Sequence, residues 1–323
     1  TPENLVKLWE RIRGPTSVAP SGILMEDPTP VARCLGCEHV LGKKTIDGPD
    51  GPKEVQTIRY DMTGFFGQCV DRYKELCKEP DMVLKHVESP FHTTPCGNPK
   101  AAAARPWENP DISSFDEAAG EEPGKLGGIA SAVLMKLLYG ARLARWDLLK
   151  CISMLASRIS RWTLGCDKGL HRLMCYVNST QDHILEGYVG DPIDKIDLTM
   201  YCDADFAGDA VDEHRSTSGA ILYLTGPYTC MPVGAKSTKQ PNTATSTPEA
   251  EIVAAFMATK QMAIPAQMLW EGIFKRPVPC EVKEDNQTCI QVIKTGRNPN
   301  MRHLPKHQGV SLDFLHQTFG SKT

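Results

Sequence analysis

The feature that most constrains this chain is a change of hydrophobic period near residue 198. Over 198–206 apolar and polar residues alternate. Met200, Cys202 and Ala204 fall on one face, and Tyr201, Asp203 and Asp205 on the other. That is the two-residue period of a half-buried strand. Strand patterns follow over 217–225 and 230–237, joined by the tight connection Leu224-Thr225-Gly226-Pro227, so the three read as an antiparallel meander. A helix is expected from Thr247, with Thr247 as N-cap and Pro248 at the first helical position. Pro265 should kink or break it. A fourth strand is expected over 280–284. The helix crossing over to it implies parallel pairing with the meander. Asn286 can cap the next helix and Gly296 can end it. The fold class this order predicts is α/β.

The rest of the chain is patterned less sharply. Leu5, Leu8, Trp9 and Ile12 predict a short amphipathic helix over 4–13. Two strands are expected over 33–41 and 54–62, joined by the turn-rich loop Asp47-Gly48-Pro49-Asp50-Gly51. A helix over 64–77 would carry Phe65, Cys69, Tyr73 and Leu76 along one face. Residues 98–124 hold an Ala run, Pro99, Pro106, Pro110, Pro123 and the pair Glu121-Glu122, and read as a linker or long exposed loop. Residues 125–180 are helical, with Leu134, Leu137, Leu138 and Ala141 sharing a face. Leu148, Ile152, Leu155 and Ile159 continue the rhythm, and a third helix is expected over 167–177. These stripes read as core packing. The expected division is 1–98, a linker over 99–124, a helical region over 125–196, and an α/β domain over 197–323.

Composition removes several classes. Lys plus Arg is 36 and Asp plus Glu 39, a net charge of −3, which excludes a broadly basic nucleic-acid coat protein but not a local basic surface. No stretch approaches the ~18 apolar residues of a membrane span. The start, Thr1-Pro2-Glu3-Asn4, lacks a Met and a secretory signal pattern, so a non-secreted piece of a longer chain is expected. The 12 Cys are scattered, as in a reducing compartment. Cys34-x-x-Cys37 has no second pair at zinc-site spacing. It is read as a strand with two small buried thiols.

Three acids stand out. Asp203 lies mid-strand on the polar face, Glu251 in the first turns of the crossover helix, and Asp285 at the end of the fourth strand. Carboxylates so placed can converge on one cleft, and a converging set implies cations. Hard oxygen donors suit Mg²⁺ or Mn²⁺, and two such ions about 4 Å apart can drive phosphodiester hydrolysis. Solvated strand-end acids are the competing reading of the spacing.

The motifs Tyr201-Cys202-Asp203-Ala204-Asp205-Phe206-Ala207-Gly208-Asp209 and Arg215-Ser216-Thr217-Ser218-Gly219 come first in the chain. Lys236-Ser237-Thr238-Lys239-Gln240, Ser246-Thr247-Pro248-Glu249-Ala250-Glu251 and Glu284-Asp285-Asn286-Gln287 follow. In order and spacing they resemble the ribonuclease H region of copia-type (Ty1/copia-like) LTR retrotransposon Pol polyproteins. Upstream, Arg33-Cys34-Leu35-Gly36-Cys37 is similar to a leucine-glycine strand late in the family's reverse transcriptase. Residues 60–90 resemble the stretch after it. Residues 138–147 and 170–180 resemble the helical connection before the ribonuclease H.

The resemblance implies a ribonuclease H-like mixed sheet with crossover helices, α+β overall, preceded by a partial, helix-rich reverse transcriptase thumb and connection region. It implies metal-dependent hydrolysis of RNA in RNA–DNA hybrids. Asp203, Glu251 and Asp285 would be catalytic ligands of Mg²⁺ (or Mn²⁺). Glu249 rivals Glu251, and Asp205 would be a supporting or exposed acid. Nucleic-acid contacts would fall on Arg215, Ser216, Lys239, Asn286, Gln287, Arg302 and Lys306. The implied partners are an RNA–DNA hybrid or other nucleic acid and the remainder of the Pol polyprotein, with no membrane. The implied location is the cytoplasm, in a virus-like particle, or the nucleus.

Two departures limit that expectation. No Tyr-x-Asp-Asp occurs, so DNA polymerisation is not expected. The family's fourth carboxylate follows a helix expected here over 308–319, and the chain stops at Thr323. Asp313 is the sole acid from residue 290 on and does not fit that motif, so weak or no hydrolysis is expected, the alternative being a catalytically dead nucleic-acid-binding remnant or domesticated module. The same tail carries Lys294, Arg297, Arg302, Lys306 and Lys322, with His303, His307 and His316. It reads either as a phosphate-holding patch or as a solvated helix face.

Overall fold

The computed structural model describes residues 32–79, 81–90, 123–206 and 215–320. The helix expected over 4–13, nearly all of the 98–124 linker, Asp209 and Lys322 lie outside the described residues. One mixed sheet of eight strands runs in the order β1-β2-β3-β4-β7-β6-β5-β8. The strands are β1 Arg33–Cys34, β2 Cys37–Gly48, β3 Gly51–Asp61, β4 Leu185–Val189, β5 Asp197–Asp205, β6 Thr217–Gly226, β7 Thr229–Lys239 and β8 Cys280–Lys283. The fold is mixed α/β, with β5, β6 and β7 forming the expected antiparallel meander. β8 pairs with β5 in parallel, Leu198 opposite Cys280 and Tyr201 opposite Lys283.

The strand expected over 33–41 is broken. Leu35 and Gly36 take positive φ (51° and 79°) and turn the short β1 back on β2. Cys34 is therefore exposed and only Cys37 is buried, which corrects the reading of two buried thiols. The expected loop over 47–51 is also shorter, because β2 and β3 pair out to Gly48 and Gly51 and leave Pro49-Asp50 as the turn. β4 is a strand the sequence did not announce. Through Ile58 opposite Gly187 and Tyr188 opposite Cys230 it joins the hairpin to the meander. Glycine is needed there, since a Cβ on Gly187 would lie 2.6 Å from Met231 Sδ and Pro232 Cδ.

Helices cover both faces. α1 Thr63–Cys77, α2 Gly127–Ala144, α3 Leu149–Ala156 and α4 Leu164–Ser179 share a core in which Phe66, Leu134, Leu137, Ile152 and Leu173 are buried and Ala235 of β7 packs against them. α1 buries Phe66, Cys69, Val70 and Tyr73, so the inward face is turned slightly from the expected one, leaving Phe65 and Leu76 half-buried. α4 starts earlier than expected because the Thr163 side chain accepts a hydrogen bond from Cys166 N.

On the other face Leu198, Met200, Cys202, Ala220, Leu222 and Leu224 pack against Ala255, Ala258, Ala263 and Ala266. These alanines belong to α5 Thr247–Ala258, a π-helical turn Thr259–Ala263 and α6 Ile264–Phe274. The cap of α5 is Ser246, not Thr247. Ser246 is extended (φ −159°) and its hydroxyl accepts from Glu249 N, while Thr247 is already helical. Pro265 does not end the helix, because the π turn before it leaves the proline in the first turn of α6, where a missing N–H costs little. α7 Gln287–Thr295 is capped by Asn286 and ends on Gly296 in the left-handed conformation. The helix expected over 308–319 starts later, as α9 Leu312–Gly320, and a short α8 Leu304–His307 precedes it, the two separated at Gly309 (φ 67°). Leu304, Val310 and Leu315 pack them against Ile252, Cys289 and Val292. No helix among the described residues is long and apolar enough to cross a membrane.

Candidate metal centre

Alternation along β5 turns Asp203 to the open face of the sheet while Cys202 and Ala204 go inward. Parallel pairing carries the chain out of β8 beside β5, so Asp285 emerges near Asp203. α5 lies across the inner face. Its seat is fixed by Gln240, whose buried Nε2 donates to Ser218 Oγ (2.9 Å) and to the Ala250 carbonyl (2.9 Å). Glu251 then points at the same spot. One carboxylate oxygen from each of Asp203, Glu251 and Asp285 lies within 4.8 Å of the others. An octahedral Mg²⁺ with ligands at about 2.1 Å spans about 4.2 Å between opposite oxygens. Only one of the three pairs can be opposite; the others are adjacent, about 3.0 Å apart, so the set has to close by up to about 1.8 Å to hold one.

The three acids are not equivalent. Asp203 and Asp285 are exposed and Glu251 is buried. Glu251 is 3% exposed, and its Oε2 has no hydrogen-bond partner. Burial pushes its carboxyl up to about 8, with the charges of Glu284, Asp203 and Asp285 adding to the rise and a hydrogen bond from the Ala204 backbone opposing it. A buried carboxylate oxygen without a donor is costly. Such a group is relieved by a proton or by a cation, so the donor set fits a hard divalent ion.

A fourth acid belongs to this neighbourhood. Glu284 accepts from Asn286 N (3.0 Å) and from the Cys202 thiol (3.5 Å). Burial raises its pKa first, and Asp285 and Asp203 add to the rise. Burial and Glu284 in turn raise that of Cys202. The signal for Glu284 was present in Glu284-Asp285-Asn286-Gln287, but adjacency to Asp285 alone does not say which way it turns.

Glu249 stands apart. It is fully buried, and its carboxylate accepts from Thr245 N (3.0 Å), Gln308 Nε2 (3.2 Å), His303 Nε2 (3.2 Å) and the Thr245 hydroxyl. Burial alone would raise its pKa, but these hydrogen bonds outweigh it and the carboxyl is lowered. Asp205 pairs with Lys150 across to α3 at 2.6 Å. Ser216 is fully buried, with its carbonyl accepting from Gln240 N. Asn286 spends its side chain on Cys289 N (2.9 Å). Arg215 is half-buried with a long contact to the Pro241 carbonyl (3.5 Å), Lys239 ends β7, and Gln287, Arg302 and Lys306 are exposed. In the tail, His303, His307 and His316 lie within 3.2 Å of Glu249 Oε2 and the Thr243 and Ile293 carbonyls respectively. Apart from Lys150, none of these residues lines the cleft of about 700 Å³ that opens in front of Asp203 and Asp285 between the sheet and α3.

The chain is homologous to a stretch of the Transposon Ty1-NL2 Gag-Pol polyprotein of Saccharomyces cerevisiae. The two are 28% identical over 256 residues, which is 76% of this chain and 14% of that polyprotein. This supports a Ty1/copia-type retrotransposon polyprotein as its relative. The chain thus spans 14% of the length of the curated relative it matches. No family model matches it, and no solved structure does.

Proposed function

We propose that Asp203, Glu251 and Asp285 hold a divalent cation, Mg²⁺ or Mn²⁺, and that the site, with three of the family's four carboxylates, weakly hydrolyses the RNA strand of RNA–DNA hybrids. The observation that carries this reading is the buried Glu251 carboxylate: one of its oxygens lies within 4.8 Å of oxygens on two exposed carboxylates, and its Oε2 has no hydrogen-bond partner. The order of the motifs and the homology to a Ty1 Gag-Pol polyprotein support the substrate class and make the remaining parts of such a polyprotein the proposed partners. When bound, the cation supplies Lewis-acid stabilisation of charge on a phosphate and acidifies a water.

The chain's own groups divide the work. Glu251 supplies a ligand from the protein interior and excludes solvent on that side. Asp203 and Asp285 face the cleft by which a phosphate arrives. Glu284 adds negative charge beside them and so favours cation entry. The test is cleavage of an end-labelled RNA–DNA hybrid in Mg²⁺ and in Mn²⁺, with Asp203→Asn beside the unaltered protein. Cleavage that disappears in the variant is expected. No cleavage in either cation, with the fold intact by circular dichroism, overturns the hydrolytic reading.

A further inference from the structure

Asp203, Glu284 and Asp285 line one end of the cleft, and Lys150, at the start of α3, stands on its wall. Two other lysines line it, Lys236 and Lys283. Lys236 lies opposite Ala220, a core residue of the inner face, and its ammonium donates to Gln261 of the π-helical turn. Lys283 pairs with Glu281 of its own edge strand. Lys150 reaches across from the helical side, and its Nζ lies 2.6 Å from Asp205 Oδ2. Asp205 follows Asp203 by two residues on the same side of β5, about 6.8 Å along a strand. The Lys150 ammonium is therefore held beside the strand that carries a proposed metal ligand.

The local helix does not favour a lysine at this place. Lys150 stands in the first turn of α3, which holds no acid and where the macrodipole disfavours a cation. Asp147, just before that turn, accepts instead from Arg145 Nη2 (2.7 Å) and the Tyr176 hydroxyl (3.0 Å). The side chains of Lys150 and Asp205 are 43% and 39% exposed, and so solvated a pair stabilises little. A second anion can replace Asp205 at small cost. A phosphodiester is such an anion, and lysine binds it as a point charge. Contacts of this kind fix a nucleic acid in position without reading its sequence.

We infer that Lys150 holds a backbone phosphate of the hybrid, a neighbour of the phosphate at the proposed cation, and exchanges Asp205 for it as the duplex docks. The inference takes its substrate from the hydrolytic reading. The backbone of one strand runs through the cleft, the duplex lies along the open face of the sheet, and the start of α3 becomes part of the binding surface.

The experiment is a fluorescence-anisotropy titration of a dye-labelled RNA–DNA hybrid with the full chain in EDTA, where no divalent ion supports cleavage, over a range of KCl concentrations. Each phosphate contact contributes about 0.9 to the slope of log affinity against log salt. Lys150→Gln should lower the slope by about that amount, so that its loss of affinity is about 3.5-fold greater at about 50 mM than at about 200 mM salt. Lys150→Arg keeps the charge and should keep the slope. Asp205→Asn removes the competing anion and should bind the hybrid at least as tightly as the unaltered protein, with the same slope. A mere brace between α3 and β5 would be broken equally from either side. Equal weakening by Lys150→Gln and Asp205→Asn, an unaltered slope in Lys150→Gln, or no measurable hybrid binding by the unaltered protein overturns the inference. The two readings fail separately. Cleavage in Mg²⁺ or Mn²⁺ with an unaltered slope in Lys150→Gln overturns the Lys150 contact and leaves the hydrolytic site standing. The lowered slope without cleavage in either cation supports the contact and overturns the hydrolysis.

Discussion

Glu251→Gln tests the physical basis of the centre without any substrate. The folded-state carboxyl of Glu251 is pushed up to about 8 from an ordinary 4.5, chiefly by burial and then by Glu284 and Asp203. Because the folded pKa is the higher one, its contribution is fully present below about 4.5 and is lost as pH rises toward 8. Between those values the folded chain binds a proton that the unfolded chain has released, so stability falls by about 1.4 kcal/mol per pH unit. Across the whole window the upper bound is about 5 kcal/mol, which water reaching the exposed Asp203 and Asp285 reduces. Gln at this position has nearly the same shape and no titration. The difference between the two proteins therefore isolates the group.

The assay is thermal unfolding of both proteins in EDTA from pH 5 to 8.5. At a few degrees per kcal/mol for a chain of this size, the unaltered protein should lose about 5–10 °C relative to Glu251→Gln over that range. Mg²⁺ or Mn²⁺ at pH 8.5 should close the gap, because a cation replaces the proton and stabilises the state that binds it. Sodium at equal ionic strength should not. Glu284→Gln, which removes the charge that after burial raises Glu251 most, should shrink the fall. A gap that stays flat from pH 5 to 8.5 would refute the reasoning, since Glu251 would then be solvated or hydrogen-bonded and would need no ion.

Two further variants probe how the elements are held. Arg145 is 2% exposed and donates to Asp147 (2.7 and 3.0 Å) and to the carbonyl (2.7 Å) and hydroxyl (2.8 Å) of Thr180. Arg145→Ala should cost about 3–5 kcal/mol in urea unfolding, and Arg145→Lys should recover little because it lacks the planar fork. Glu249→Ala removes the acceptor shared by Thr245, His303 and Gln308 and should cost about 2–4 kcal/mol. Mn²⁺ binding, read by electron paramagnetic resonance, should persist in that variant. Since the Glu249 carboxyl is lowered, its contribution is present above the ordinary carboxylate range and is lost as pH falls through the folded value, opposite in sign to Glu251.

What was legible in the chain was local or followed from handedness. The alternation of β5 shows directly in its burial, and the parallel partner β8 follows from the crossover helix. Asn286 and Gly296 punctuate α7 as their side chains dictate. What was not legible was non-local or depended on unusual backbone. β4 has five residues with Gly187 at its centre, a weak strand signal, and its reason for pairing lies on β3 and β7. The turn at Leu35 uses a left-handed leucine (φ 51°), which no turn rule anticipates for that residue type. Ser246 and Thr247 are both good caps, and only the extended backbone of Ser246 decides between them. The convergence of Asp203 and Asp285 was readable from topology. The inward turn of Glu284 was not, because it depends on the Cys202 thiol and Asn286 N–H that receive it.

Glu249 and Glu251 show why spacing could not choose between the two rival acids. They are two residues apart on α5, about 200° around a helix of 3.6 residues per turn, so they point nearly opposite ways. Alanine at 250, 254 and 255, all buried, allows close packing on more than one side, and both glutamates end up covered. A helix buried all round has no polar face to betray which acid meets the other carboxylates. The distinction comes from what each carboxylate meets. Glu249 meets four donors, which offset its burial and lower its pKa. Glu251 meets three other carboxylates and one backbone N–H, which leave an oxygen bare and its pKa high. Satisfaction marks Glu249 as the tie between α5 and the 303–308 segment. Frustration marks Glu251 as the group for which we propose a cation as partner.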